Sequence, residues 1–422
     1  MASEENTILT TIKKKLTSFG PAFFIIGYVV GTGSVTSMVV SGADYGLRLS
    51  WALLLSCFFT YFLIIAISKL TIVSGNSLLY NFKTHFGKPL TLFIMLAVLV
   101  LIISSIVGIM GIVTEVVVKW LSELSDGAIA TSEIAVALFF IFILLVLFWR
   151  GKHASFLNIM TVLVSLMALS FVVTSVVVLF NPEMAFSALF EKKDSISETN
   201  GSIELVIAGL VGTTMAAVVL VSRSILVEEE GWKLSDLKRE NKDAGVSMVL
   251  TFIISLAIMI SAAGTLYVTD FKIENAIDMM NALVPVAGEF AMSLFAIGII
   301  AAALSSIFPN LLLFPWLWSD YNETPRKLDK PMYRIMVVCI ALAGMAIPIF
   351  GGKPIWILIA SQALSPFVMP LITLFLIILL NRKNVMQQYK IGWAMNLALV
   401  CTFIFNCYML TIALSGLSDY MK

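Results

Sequence analysis

Two short runs of glycine and hydroxyl residues interrupt otherwise apolar stretches, and they are where this chain could do chemistry. One reads Val30-Gly31-Thr32-Gly33-Ser34. The other, about 180 residues later, reads Val211-Gly212-Thr213-Thr214-Met215, so Val-Gly-Thr is common to both. Glycine lowers helix propensity by about 1 kcal/mol relative to alanine, and Thr and Ser hydroxyls can bond freed backbone groups. The first run therefore predicts an unwound segment at 31–34, and the second a break at 212–214 followed by Met215. Broken helix ends expose N–H groups on one side and C=O groups on the other. They could hold a cation through carbonyls and hydroxyls, or a carboxylate through amides. The bland alternative is that the glycines only let helices approach closely.

The elements that must position these runs are membrane spans. The chain has 422 residues, of which 59% are apolar and 13% charged, and its mean hydropathy is +0.99. Eleven apolar stretches of bilayer-spanning length are expected, at 19–43, 50–73, 89–118, 131–149, 155–180, 203–226, 244–268, 286–314, 332–350, 354–380 and 391–415. The organisation read from them is a polar segment at 1–18, a first repeat at 19–180, an outside loop at 181–202, a second repeat at 203–380, and a last helix with its tail at 381–422. Interrupted spans at matching positions of two halves point to the central site of a secondary transporter. An unwound backbone at membrane depth persists only where protein or an aqueous cavity satisfies it.

Lys and Arg flank the spans unevenly, with Lys13–Lys15, Arg150, Lys152, Lys238, Arg239, Arg326, Lys327, Arg382 and Lys383 on one side. That bias places the N-terminus in the cytoplasm and, after an odd number of spans, the C-terminus outside, in a cell membrane. The 228–243 loop alternates charge and reads as a solvated surface helix. Cys57, Cys339, Cys401 and Cys407 lie inside spans with no ligand spacing, and read as small core residues. A net charge of +1 gives no reason to expect nucleic acid as a partner. The sequence holds no nucleotide-binding glycine loop, nucleophile triad or metal-ligand cluster, so an enzyme and a cofactor are not expected. The partners are the transported ion or solute and the lipid bilayer.

Ionisable residues at bilayer depth are the default functional candidates, and here they are scarce. Asp44 lies at the end of the first span. Glu115 sits four residues before Lys119, which suits an interfacial pair. Arg223, near the end of the sixth span, could snorkel. Ser305 and Ser306 in the eighth span could hold a Na⁺-like ion or bond back to their own helix.

The order and spacing of several motifs resemble the Nramp (natural resistance-associated macrophage protein) family of divalent-metal transporters. They are Gly20-Pro-Ala-Phe23, Ile26-Gly-Tyr28, Gly42-Ala-Asp-Tyr-Gly46 before Trp51-Ala-Leu-Leu-Leu-Ser56, Leu294-Phe-Ala-Ile297, and Ser361-Gln362 with Pro366 and Pro370. The resemblance implies an all-α integral membrane fold, a LeuT-type five-plus-five inverted repeat of about 11 transmembrane helices, with helices 1 and 6 unwound at the midplane. It also implies a site where Asp-Pro-Gly-Asn of helix 1 meets Met-Pro-His of helix 6. This chain has Val30-Gly-Thr-Gly33 and Met215-Ala-Ala217 at those positions. Of the side-chain ligands the resemblance implies, only Met215 and Gln362 carry over. The third span reads Ile102-Ile-Ser-Ser-Ile-Val-Gly108, without the acid of the family's proton route.

The resulting reading is a secondary-active or facilitative transporter working by alternating access. It moves an inorganic divalent cation through a site formed by Val30, Gly31, Thr32, Gly33, Ser34, Thr213, Thr214, Met215, Ala217 and Gln362, either passively or coupled to an ion bound by hydroxyls and carbonyls. The alternative is a small neutral or zwitterionic organic solute such as an amino acid, because Gly31-Thr-Gly-Ser-Val35 also looks like the carboxylate-binding helix 1 motif of amino acid–polyamine transporters.

Overall fold

The computed structural model describes residues 31–126, 131–150, 153–180, 190, 202–326 and 330–421, and within them the chain is helical without a strand. Its first half comprises α1 (Thr32–Tyr45), α2 (Ser50–Ser74), α3 (Leu78–Phe86), α4 (Lys88–Leu124), α5 (Glu133–Arg150) and α6 (His153–Leu179). The second comprises α7 (Ile203–Thr214), α8 (Ala217–Glu229), α9 (Leu237–Ala262), α10 (Ala291–Tyr321), α11 (Pro331–Ala343), α12 (Ala346–Phe350), α13 (Pro354–Gln362) and α14 (Ser365–Asn381), followed by α15 (Trp393–Tyr420). Each of the last ten expected spans coincides with one helix or with a pair of shorter ones, and the described part of the first with α1. Eight helical stretches are long and apolar enough to cross a membrane among the described residues. For the first span only the half after Gly31 is described, so the stretch 19–30, with Val30, lies outside the described residues.

The paired half-helices lie at the centre. Along α7–α8 the most apolar window is 94% buried, against 33% for α5 and for α15, so the broken pair is interior and the other two are peripheral. Around it α1 packs on α7 and α9, α4 on α10 and α13, α8 on α2, and α13 on α7. The outer surface is apolar, with Phe58, Phe93, Phe139, Phe142, Ile335 and Ile404 exposed, as suits a bundle whose solvent is hydrocarbon.

Three expectations change. Cys57 is buried as expected, but Cys339 and Cys401 are exposed on the bundle's outer surface and Cys407 is half-buried. A small apolar side chain is as much at home against lipid as in the core. The 228–243 segment is not a separate surface helix: after a turn and a short 3₁₀ stretch, α9 begins at Leu237. Nor is all of it solvated, because Glu240 and Asp243 are buried. The cause is Arg223, which does not snorkel. Its guanidinium is fully buried and donates to Glu240 Oε2 at 2.5 Å and to Asp243 Oδ2 at 3.1 Å. Trp232 covers it, the ring centroid lying 5.5 Å away. The three charges fasten α8 to the start of α9. The Glu115–Lys119 pair is present at 3.4 Å, and Glu115 also accepts from the Ala276 N–H.

Candidate functional site

The interruption in the sixth span falls at Met215–Ala216, three residues beyond Gly212. Gly212 and Thr213 are helical, whereas Ala216 is extended at φ −65°, ψ 121°. The glycine serves another purpose. A Cβ at Gly212 would fall on the carbonyl oxygen of Gln362, so α7 and the end of α13 meet backbone to backbone there. That carbonyl is available because Pro366, four residues later, has no N–H to give it. The proline explains why the tenth span is itself broken, with α13 ending at Gln362 and α14 starting at Ser365.

Nothing so local breaks α7 from α8. The Ser365 hydroxyl bridges the gap: it donates to the Met215 carbonyl at 3.2 Å and accepts from the Ala217 N–H at 3.0 Å. On the other side α1 starts at Thr32, its preceding residue Gly31 extended and without a side-chain cap. Ser34 Oγ and Thr213 Oγ1 share a hydrogen bond of 3.1 Å, joining α1 to α7. The Gln362 amide lies against α1, where a Cβ on Gly33 would stand 2.8 Å from Nε2.

These contacts surround a cavity with about 530 Å³ of empty space, part of it open to solvent. Five of the expected site residues line it, namely Gly31, Gly33, Ser34, Thr213 and Gln362, together with Ala216. Thr32, Thr214, Met215 and Ala217 are buried beside the interruptions and do not line it. The opposite wall carries residues that sequence reasoning missed: Ser105 on α4, Asn310 on α10, and Ser361 and Ser365 around the α13–α14 break. Ser361 belongs to a quoted motif in which only Gln362 is read as a site residue, and Asn310 stands four residues beyond Ser306. Of the serine pair on α10, Ser305 donates to the Ala302 carbonyl, whereas Ser306 lines the cavity with a buried hydroxyl that has no hydrogen-bond partner. The Thr32 hydroxyl is likewise buried and unpartnered.

Among the described residues, those lining the cavity include no ionisable side chain, and there is no cluster of three or more His, Cys, Asp or Glu. The donors are therefore hydroxyls, two amides and helix-end backbone. The carbonyl ends of α7 and α13 and the N–H starts of α1 and α8 all reach the cavity lining, so helix-end partial charge of both signs is present. Hard divalent ions accept such oxygen donors and keep water readily.

At one end of the bundle Arg326 binds Asp320 through two hydrogen bonds, of 2.7 and 2.8 Å, and Glu228 through one of 2.6 Å. Ser77, capping α3, donates to the same Asp320 at 2.6 Å. The ends of α8 and α10 and the start of α3 are thus tied together. Burial alone would lower the Arg326 pKa, but its bonds to Asp320 and Glu228 and their charges carry it above the ordinary arginine value. Beside it, burial pushes the Glu229 carboxyl up, and the Arg326 charge only partly offsets this.

Residues 22–415 match the model of the "Natural resistance-associated macrophage protein-like" family. The chain is 25% identical over 426 residues to a divalent metal cation transporter MntH of Pectobacterium carotovorum, covering 98% of both chains. It is 23% identical over 387 residues to the protein of the same name from Caldanaerobacter subterraneus, covering 90% of this chain and 88% of that one. Among solved structures it is similar to a manganese transporter mutant of Eremococcus coleocola, with a TM-score of 0.70 at 14% identity, covering 97% of this chain and 87% of the other. It is also similar to MhsT in complex with L-phenylalanine, with a TM-score of 0.59 at 16% identity, covering 94% and 97%. The fold is therefore the LeuT-type transporter fold, and the family match over nearly the whole length shows that this multi-pass membrane protein belongs to the Nramp family.

Proposed function

We propose that this chain carries a divalent metal cation across the cell membrane by alternating access, with its N-terminus in the cytoplasm, and that the ion passes the site with most of its hydration water on. The observation that carries the reading is the cavity between α1 and the α7–α8 interruption, whose described lining carries hydroxyls and amides and no charged side chain. An ion stripped of water there would have no charge compensation. A hydrated one is matched by Ser34, Thr213, Ser306, Asn310 and Gln362, which can accept from or donate to its waters. Family membership and the names of the relatives point to the same cargo.

With no acid in the cavity wall, transport is expected not to carry protons in fixed ratio to the metal. The test is uptake of Mn²⁺ and Mg²⁺ into proteoliposomes with an internal pH indicator. Metal entry without stoichiometric acidification is the expected result, and stoichiometric acidification overturns the uncoupled reading. Gln362→Ala should raise KM for Mn²⁺ by about tenfold, the loss of roughly one charge-assisted hydrogen bond. Met215→Ala should leave KM within about twofold, because Met215 is buried beside the cavity without lining it and its carbonyl accepts from Ser365.

The uncapped start of α1 at Thr32 favours a second reading, a carboxylate-bearing organic solute held by amides. Uptake of a labelled amino-acid panel with no metal uptake would select it over the first.

The Arg326 network acts as a closure at one end. Arg326→Gln should increase, several-fold, maleimide labelling of a cysteine placed at Val219 on the cavity wall. Unchanged labelling would mean that the network does not hold that end shut.

A further inference from the structure

In the Nramp pattern the break in helix 6 carries a proline, whereas this chain has Met215-Ala216-Ala217. Alanine is the best helix former, and Gly212 and Thr213 are already helical. The local sequence therefore favours one continuous helix from Ile203 to Glu229, in which Ala217 N–H would bond the Thr213 carbonyl and Val219 N–H the Met215 carbonyl. One partner of each bond, Ala217 N–H and Met215 C=O, is instead taken by one side chain, the Ser365 hydroxyl. Ser365 is itself 4% exposed and lines the cavity. It heads α14 beside Pro366, at a junction pinned to α7 by the Gly212–Gln362 approach.

The geometry points to Ser365 as the positioning residue that keeps helix 6 broken, doing from helix 10 what a proline would do from within. Its hydroxyl is the right group: it is small enough for the gap, and it gives and accepts one hydrogen bond at once, so it occupies one partner in each of two of the intrahelical bonds that annealing would form. An Ala at 365 offers neither. Without Ser365 the segment 213–219 closes into regular helix, the Ala216 corner disappears, and the cavity loses one wall. The inference assigns the break to helix 10, and so couples the two interrupted helices. Its transport consequence rests on the function proposed above, but its structural core does not.

The experiment is hydrogen–deuterium exchange on the full-length, ligand-free protein, followed over peptides covering 210–222, in wild type, Ser365→Ala, and Ser365→Ala combined with Ala216→Pro. Annealing predicts that Ser365→Ala slows exchange of the Ala217 and Val219 amides at least tenfold, and that Ala216→Pro restores wild-type rates for Val219. A clasp that only stabilises an already fixed break would instead give faster exchange at Ala217 on losing Ser365, and that result overturns the proposal, as does an unchanged rate. A Ser365→Thr variant, which keeps the hydroxyl, should exchange like wild type and shows that the fold tolerates change at this position. Mn²⁺ uptake measured on the same set should be lost in Ser365→Ala and recovered in the double variant. If wild type moves no Mn²⁺ at all, the cargo assignment fails while the exchange result still decides the role of Ser365.

Discussion

Arg223→Gln should destabilise the protein by about 3–5 kcal/mol, the usual cost of stranding buried charge. The Arg223 side chain is fully buried, and those of Glu240 and Asp243 are 1% and 2% exposed. Removing the cation takes the shared guanidinium away from two buried carboxylates. Against a stability of about 5–15 kcal/mol for a typical domain, such a loss is large enough to empty the membrane of folded protein. Glu240→Gln should cost less than Arg223→Gln, and Asp243→Asn less again, following the 2.5 and 3.1 Å contacts. Simultaneous replacement of all three by apolar residues of similar volume should recover most of the loss, because desolvation of the charges is then avoided too. Melting of the detergent-solubilised variants gives the order. A melting temperature for Arg223→Gln equal to wild type would mean that solvent reaches the cluster.

Gly212→Ala should reduce transport at least tenfold while costing about 1–3 kcal/mol of stability. Its Cβ would land on the Gln362 carbonyl oxygen, and neither partner is the free end of a side chain. The strain can only be relieved by moving α7 away from the α13–α14 junction. That displaces Gln362 and Ser365 together from the cavity wall. Gly245→Ala is the matching control, because its Cβ would meet only Tyr61 Cε2 at 3.6 Å, an ordinary contact. Its uptake rate should stay within about twofold of wild type. Equal rates for Gly212→Ala and Gly245→Ala would sever the packing of helix 6 on helix 10 from function.

The spans were legible from hydropathy because α2, α4 and α13–α14 are apolar on every face over bilayer length, a signal that needs no partner to read. Of the segment 31–34 expected to be unwound, Thr32, Gly33 and Ser34 form the first turn of α1 and only Gly31 is extended, while the stretch before it lies outside the described residues. The second break lies three residues beyond its glycine, because Gly212 serves close approach to Gln362 and does not end the helix. What breaks helix 6 comes from Ser365, about 150 residues away in sequence, and no local propensity can report that. Arg223 shows the same limit. Its position near a span end is as consistent with snorkelling as with burial, and the deciding partners Glu240 and Asp243 lie in a segment whose alternating charge reads as solvated. Ser34, Thr213 and Gln362 were found from the motifs. Asn310 and Ser105 are single polar residues in apolar helices, and only the packing of α4 against α10 brings them to one cavity.

The central claim, a divalent cation held through its waters at an uncharged site, is tested most directly by anomalous scattering from crystals soaked in Mn²⁺. The expected peak lies between Gly31–Ser34 and Thr213–Ala216, about 4 Å from the oxygens of Ser34, Thr213 and Gln362, the separation left when one water stands between. A peak within about 2.2 Å of the Gln362 side-chain oxygen, or at the longer bonding distance of the Met215 sulfur, would show a dehydrated, directly ligated ion. No peak in this cavity at saturating Mn²⁺ would contradict the account altogether.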